Sequence, residues 1–210
     1  MNRCLRIHGV GLREPMFAAA VLLVSLLFAS PLAAQVIARP VNLAYLAQRA
    51  DVIVQGRVQS VSEEPLPGYP NIPTIKVTLD IDQMVRGPAG KTYTFREMFL
   101  GLRSREGKRS YKVGQQLFLF LPSPSNHGLS SPIGMEQGRF NVSTESRGGA
   151  KVMNGRGNAG LFTNVAKTAS QAGNPLTASQ LRTVALERGP VLLDEFVSLV
   201  KSLTTLPRIQ

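Results

Sequence analysis

Thiol, imidazole and indole are almost missing from this chain. Its 210 residues hold one Cys, two His and no Trp. A single cysteine excludes a disulfide framework and any cysteine-based zinc site. Two histidines leave little for imidazole ligation of a metal, so neither a metal nor another cofactor is expected. Acidic groups are scarce as well: 13 Asp+Glu stand against 24 Lys+Arg, a formal charge of +11 at pH 7. Together these shortages leave little material for enzyme chemistry. What is abundant is backbone punctuation, with 19 Gly and 14 Pro. An apolar content of 43% is ordinary for a globular domain and too high for wholesale disorder.

The first 34 residues read as a secretory signal peptide. Arg3, Arg6 and Arg13 form a basic start, Met16–Ala29 is apolar apart from Ser25, and Leu32-Ala33-Ala34 offers small residues for cleavage. The apolar run is about 14 residues, short of the roughly 20 that a spanning helix needs. Cleavage after Ala34 removes Cys4, His8, three Arg and one Glu. The mature chain, from Gln35, then has no cysteine, one histidine (His127) and a charge of +9. Cleavage after Ala38 fits almost as well. The expected location is secreted or periplasmic, with no membrane span after cleavage.

Hydrophobic periodicity organises the remainder. Residues 35–142 are expected to form a barrel core. A short helix opens it, capped by Asn42 with Leu43, Leu46, Ala47 and Ala50 at helical spacing. Alternation then predicts strands at 52–61, 74–85, 92–100, 115–121 and 135–142. Gly56, inward-facing in the first strand, marks a bulge or bend. The four prolines of 64–73 predict a loop. Residues 143–176 are poor in large apolar groups and read as a flexible loop or weak hairpin. Residues 177–206 read as a C-terminal helical pair packed on the barrel. Thr177-Ala-Ser-Gln180 gives the first helix a capping box, and Leu193, Phe196, Val197, Val200 and Leu203 give the second an apolar stripe. The fold class expected is mainly β: a small closed barrel whose interior holds Val52, Val54, Val58, Ile75, Val77, Leu79, Ile81, Phe95, Leu117, Leu119 and Phe140.

Three stretches carry a family resemblance. They are Ala50-Asp-Val-Ile-Val-Gln-Gly-Arg-Val-Gln-Ser-Val61, Lys76-Val-Thr-Leu-Asp-Ile-Asp-Gln-Met-Val-Arg-Gly-Pro88 and Tyr111-Lys-Val-Gly-Gln-Gln-Leu-Phe-Leu-Phe-Leu121. In this order they resemble the netrin-like module, the inhibitory domain of tissue inhibitors of metalloproteinases. They are also similar to a group of cysteine-free exported bacterial proteins with no assigned activity. The resemblance implies an OB-type five-stranded closed barrel and an extracytoplasmic protein partner, specifically a secreted metalloprotease. It covers roughly residues 43–142. The animal inhibitors chelate the protease zinc through an N-terminal cysteine that this chain lacks, so that mechanism does not carry over. A mature N-terminal Gln35 supplies the only comparable amine and carbonyl.

The candidate chemistry outside the resemblance is modest. Arg103, Arg105, Lys108, Arg109 and Lys112 concentrate five cations in one loop against Glu106. Such a loop on an OB-type barrel suits an anionic cell-surface polymer or a lipid headgroup. Export argues against nucleic acid as the partner. His127 lies in a polar loop near Ser130 and Ser131; a hydrolase using it is a further alternative, which would need a nucleophile within reach and usually an orienting acid, and no nucleophile-elbow motif is present. Asp80 and Asp82 share a strand face but suit solvation. Gly155-Arg-Gly-Asn-Ala-Gly160 matches a dinucleotide fingerprint without the βαβ unit that gives it meaning. The sequence therefore points to an exported, non-enzymatic binding module, with binding through the basic loop or Gln35.

Overall fold

Alternating side chains make the central strand. The structure is a computed structural model that describes residues 40–98, 111–145 and 148–209. Strand β1 (Val52–Leu66) turns Val52, Val54 and Val58 to one face and Ile53 to the other. It pairs antiparallel with β2 (Tyr69–Arg86) and with β4 (Gln116–Leu121). Strand β3 (Thr92–Met98) adds to β2, while β5 (Arg139–Glu145), β6 (Gly149–Asn154) and the two-residue β7 (Val191–Leu192) follow β4. Among the described residues, the sheet has seven strands in the order β3-β2-β1-β4-β5-β6-β7.

This order overturns the expected five-stranded closed barrel. Closure needs β3 to pair with β5, but β5 has no edge left. One side meets β4, and the other meets β6 over a continuous register from Phe140 opposite Asn154 to Glu145 opposite Gly149. The sheet curls and stays open. Residues 143–176, read as a flexible loop or weak hairpin, hold the end of β5, all of β6 and a helix. The proline stretch 64–73, expected as a loop, is strand on both sides of a two-residue turn. It is the end of the β1–β2 hairpin, with Pro65 opposite Pro73 and Leu66 opposite Tyr69. Paired prolines fit there because neither need donate to the ladder.

Gly56 allows the curl. The β1–β2 register shifts between Gln55 and Gly56, and a Cβ at Gly56 would lie 2.4 Å from the Asp80 carbonyl oxygen. Real Cβ atoms never come so close to backbone, so any side chain would push the strands apart at the bulge.

Two apolar clusters occupy the two faces. The concave face holds Val52, Val54, Val58, Ile75, Val77, Leu79, Phe95, Tyr111, Leu117, Leu119 and Leu121, with Ile81 at its margin. Ten of the eleven expected interior residues are therefore here. Phe140 is not, because it pairs with Phe118 and faces the other way. That other, outer face holds Ile53, Phe118, Phe120, Phe140 and Val152 beneath four helices: α1 (Leu43–Arg49), α2 (Val165–Gln171), α3 (Ala178–Val184) and α4 (Leu193–Leu203). Phe196 of α4 sits at its centre, 5.2 Å from Phe118 and 4.9 Å from Phe140 between ring centroids. Each buried ring contributes about 1.5–3 kcal/mol.

Polar groups fasten the helices. Thr177 and Gln180 form the expected capping box on α3. The Arg86 guanidinium donates to the carbonyls of Ala47 and Ala50 at the end of α1 (2.6 and 2.9 Å) and of Thr204 after α4 (2.7 Å), satisfying orphan acceptors of both helix ends. Beyond α4 the chain returns to α1. Leu206 is buried, Arg208 donates to the Gln48 carbonyl and the Asp51 carboxylate, and Gln48 donates to the Pro207 carbonyl. The Gly155–Gly160 stretch is a tight turn built on two asparagines. Asn154 and Asn158 each accept the other's backbone N–H at 2.9 Å, and Asn158, at φ +60°, also donates to Val152 and Gly189 carbonyls.

Candidate functional site

Among the described residues, the helices cover only half of the outer face. Their apolar cluster reaches Ile53 of β1 and Val85 of β2 and takes nothing from β3. The other half, made of β3 and the hairpin end of β1 and β2, presents polar side chains in cross-strand rows. Arg57, Asp80 and Thr92 form one row, Ser60, Thr78 and Thr94 the next, and Ser62, Lys76 and Arg96 a third. These groups are fixed by each other. The Glu64 carboxylate accepts from Lys76 (2.9 Å), Ser62 (2.8 Å) and Arg96 (2.9 Å). Arg96 donates on to Thr74 Oγ1 at 2.7 Å, and the hydroxyls of Thr78 and Thr94 are 3.0 Å apart. Bonds from Lys76, Ser62 and Arg96 hold the Glu64 carboxyl down at about 2. Tyr69 and Met98 project at the same end, 46% and 43% exposed.

A second cluster bridges the open side of the curled sheet. Tyr111, which precedes β4, is 1% exposed and stacks edge-on against Phe95 of β3 at 5.7 Å. Its hydroxyl donates to Glu97 of β3 at 3.1 Å, and the Arg139 guanidinium of β5 lies 4.9 Å from its ring centroid. Arg139 also pairs with Glu136 at 3.0 Å. Burial raises the Glu97 carboxyl above the ordinary range against the pull of Tyr111 and Arg139, and burial raises the Tyr111 phenol too. Nothing in the spacing of the sequence joins these residues. One signal was present: Glu97 continues the inward row Tyr93–Phe95, where a charge is out of place on an apolar face.

The residues singled out in the sequence are scattered. Gln35, Arg103, Arg105, Lys108 and Arg109 lie outside the described residues. Lys112 is exposed immediately after Tyr111, its N–H donating to the Gln115 side chain. His127 is exposed and meets Tyr69 edge-on at 5.4 Å. The nearby Ser130 is buried with its hydroxyl donated to the Pro122 carbonyl, so the two do not form a nucleophilic pair. Asp80 and Asp82 are both exposed. An open cleft of about 550 Å³ runs between β2 and α4, lined by Gln83, Asp194, Val197, Ser198, Lys201 and Ser202. Among the described residues, no group of three or more His, Cys, Asp or Glu side chains is placed to hold a metal ion, and no helix is long and apolar enough to cross a membrane. No protein-family model and no curated protein matches the chain.

Proposed function

We propose that the chain is an exported, non-enzymatic binding module whose partner is an extracytoplasmic protein, held on the bare polar half of the outer face. The observation that carries this reading is the composition and rigidity of the hairpin end. Tyr69 is exposed at the hairpin tip and Met98 on β3, two residues after Arg96, beside charges already paired with one another. Tyr, Met and Arg are the side chains enriched in protein interfaces, and a preordered platform loses little side-chain entropy on binding. Pairing of Glu64 with Lys76 and Arg96 lets the face accept a partner of mixed charge without stranding an ion.

The test begins with the mature chain immobilised against its own secreted fraction, with a panel of secreted metalloproteases assayed in parallel for inhibition. A specific protein partner is expected, bound at least tenfold more weakly by the Tyr69→Ala/Met98→Ala double variant. Absence of any partner, or equal binding by the double variant, overturns the proposal. Binding instead to anionic polysaccharide, lost with salt and with charge reversal at Arg103, Arg105, Lys108, Arg109 and Lys112, would establish the basic loop as the site.

A further inference from the structure

Among the described residues, the open side of the sheet has no backbone ladder across it. Sheet order separates β3 from β5 by β2, β1 and β4, yet one phenol touches residues of both. Tyr111 meets Phe95 and Glu97 of β3 with its ring and hydroxyl, and its ring meets Arg139 of β5. The chain of contacts then passes from Arg139 to Glu136, which packs so closely on Gly155 that a Cβ there would lie 2.8 Å from Glu136 Cβ. The only backbone bond to the outer edge of β3 among the described residues runs from the Ser130 N–H to the Arg96 carbonyl at 2.7 Å. Side chains, one of them an acid, thus do the work that a strand ladder does in a closed barrel.

We propose that Tyr111, gripped by Glu97 on one side and Arg139 on the other, is a clasp over the concave core, and that ionisation of Glu97 loosens it. The groups facing Glu97 decide the direction. Tyr111 from before β4 and Arg139 from β5 favour the carboxylate, while Glu136 beside Arg139 opposes it. Glu63 of β1 lies in the same cross-strand row through Ile75, and Tyr93 is the next inward residue but one along β3. Burial outweighs the favourable partners, so the neutral acid is the form the closed clasp holds best. A group whose carboxyl is raised on folding contributes stability below its unfolded value and loses it as pH rises through the folded one. The clasp is therefore tighter in acid and loosens as pH rises, exposing the β3 edge and the apolar residues behind it. This inference stands independently of any partner on the outer face.

Hydrogen exchange on the intact mature protein tests it, with an unfolded peptide of the same sequence correcting for the intrinsic rise of exchange with pH. Corrected exchange in β3 and at residues 111–115 is expected to rise at least tenfold from pH 4 to pH 8 while β4 and β6 stay unchanged. Glu97→Gln is expected to abolish that rise, and Tyr111→Phe, which keeps the ring and removes the hydroxyl, to raise exchange at every pH. Equal pH dependence in wild type and Glu97→Gln overturns the proposal, as does a flat wild-type profile. If Glu97→Gln does not fold, carboxyl ¹³C NMR of the wild type replaces it. The midpoint of Glu97 titration must coincide with the midpoint of the exchange rise, and separate midpoints overturn the clasp.

Discussion

One sheet has two apolar faces here, and they are shut by different means. The outer cluster is roofed by separate elements: four helices lay leucines, valines and Phe196 onto Phe118, Phe120 and Phe140. The concave cluster is mostly aliphatic and, among the described residues, takes nothing from a helix. It is enclosed by the curl of its own strands and by Tyr111. A roof made of helices depends on how well side chains fill space. A roof made by bending depends on backbone geometry at the bend and on whatever holds the two ends together.

The difference can be broken by substitution. Phe196→Ala should have the largest effect, about 4 kcal/mol of unfolding free energy in a denaturant titration, because the ring is central to the helix-covered cluster and its removal leaves a cavity. Gly56→Ala adds atoms to the other face and should cost about 3 kcal/mol, since the new Cβ meets the Asp80 carbonyl oxygen. A loss under about 1 kcal/mol would show that the curl is soft. Asn158→Ala should come next at about 2 kcal/mol, by stranding the Asn154 N–H and the Val152 and Gly189 carbonyls and by forcing alanine to positive φ.

The smallest effect is a matter of pH and sharpens the same contrast. Glu64, on the bare outer face, is held low by its partners, so its contribution is present above the unfolded carboxylate range and is lost as pH falls toward about 2. Glu97, at the concave rim, behaves oppositely and favours the folded form in acid. Acid titration of the far-ultraviolet signal should therefore show the acid limb at a slightly lower pH for wild type than for Glu64→Gln, the shift being small because the pair is exposed. An unchanged limb would mean that Glu64 orders the face without stabilising it.

Most of the strands were legible because alternation is a local property. Val52, Val54 and Val58, or Ile75, Val77 and Leu79, declare their face within a few residues. Closure was not legible, because it depends on which edge a weak strand takes. In Gly149-Ala-Lys-Val-Met-Asn154 only Val152 and Asn154 are buried, so the strand that blocks the barrel has almost no hydrophobic signature. Prolines misled for a related reason: Pro65 and Pro73 break a ladder only where a donor is needed, and their pairing removes that need. The basic loop was visible as charge. The Glu97–Tyr111–Arg139 cluster draws on three separate segments, and only the curl of the sheet brings them together.

The tail that returns to α1 has a consequence for the order of events. Leu206 and Arg208 fasten onto the helix that starts at Leu43, and Arg86 waits between them for carbonyls of residues 47, 50 and 204. A chain delivered from its N-terminus, by ribosome or through a membrane pore, presents α1 long before its partners exist. The β1–β2–β3 meander can pair as it emerges, since its contacts are between neighbours in sequence. The helical roof must wait until residue 208 has appeared. Until then Ile53, Phe118 and Phe120 remain uncovered, which makes the interval between the two halves the period when the chain is most exposed to proteases and to holding chaperones.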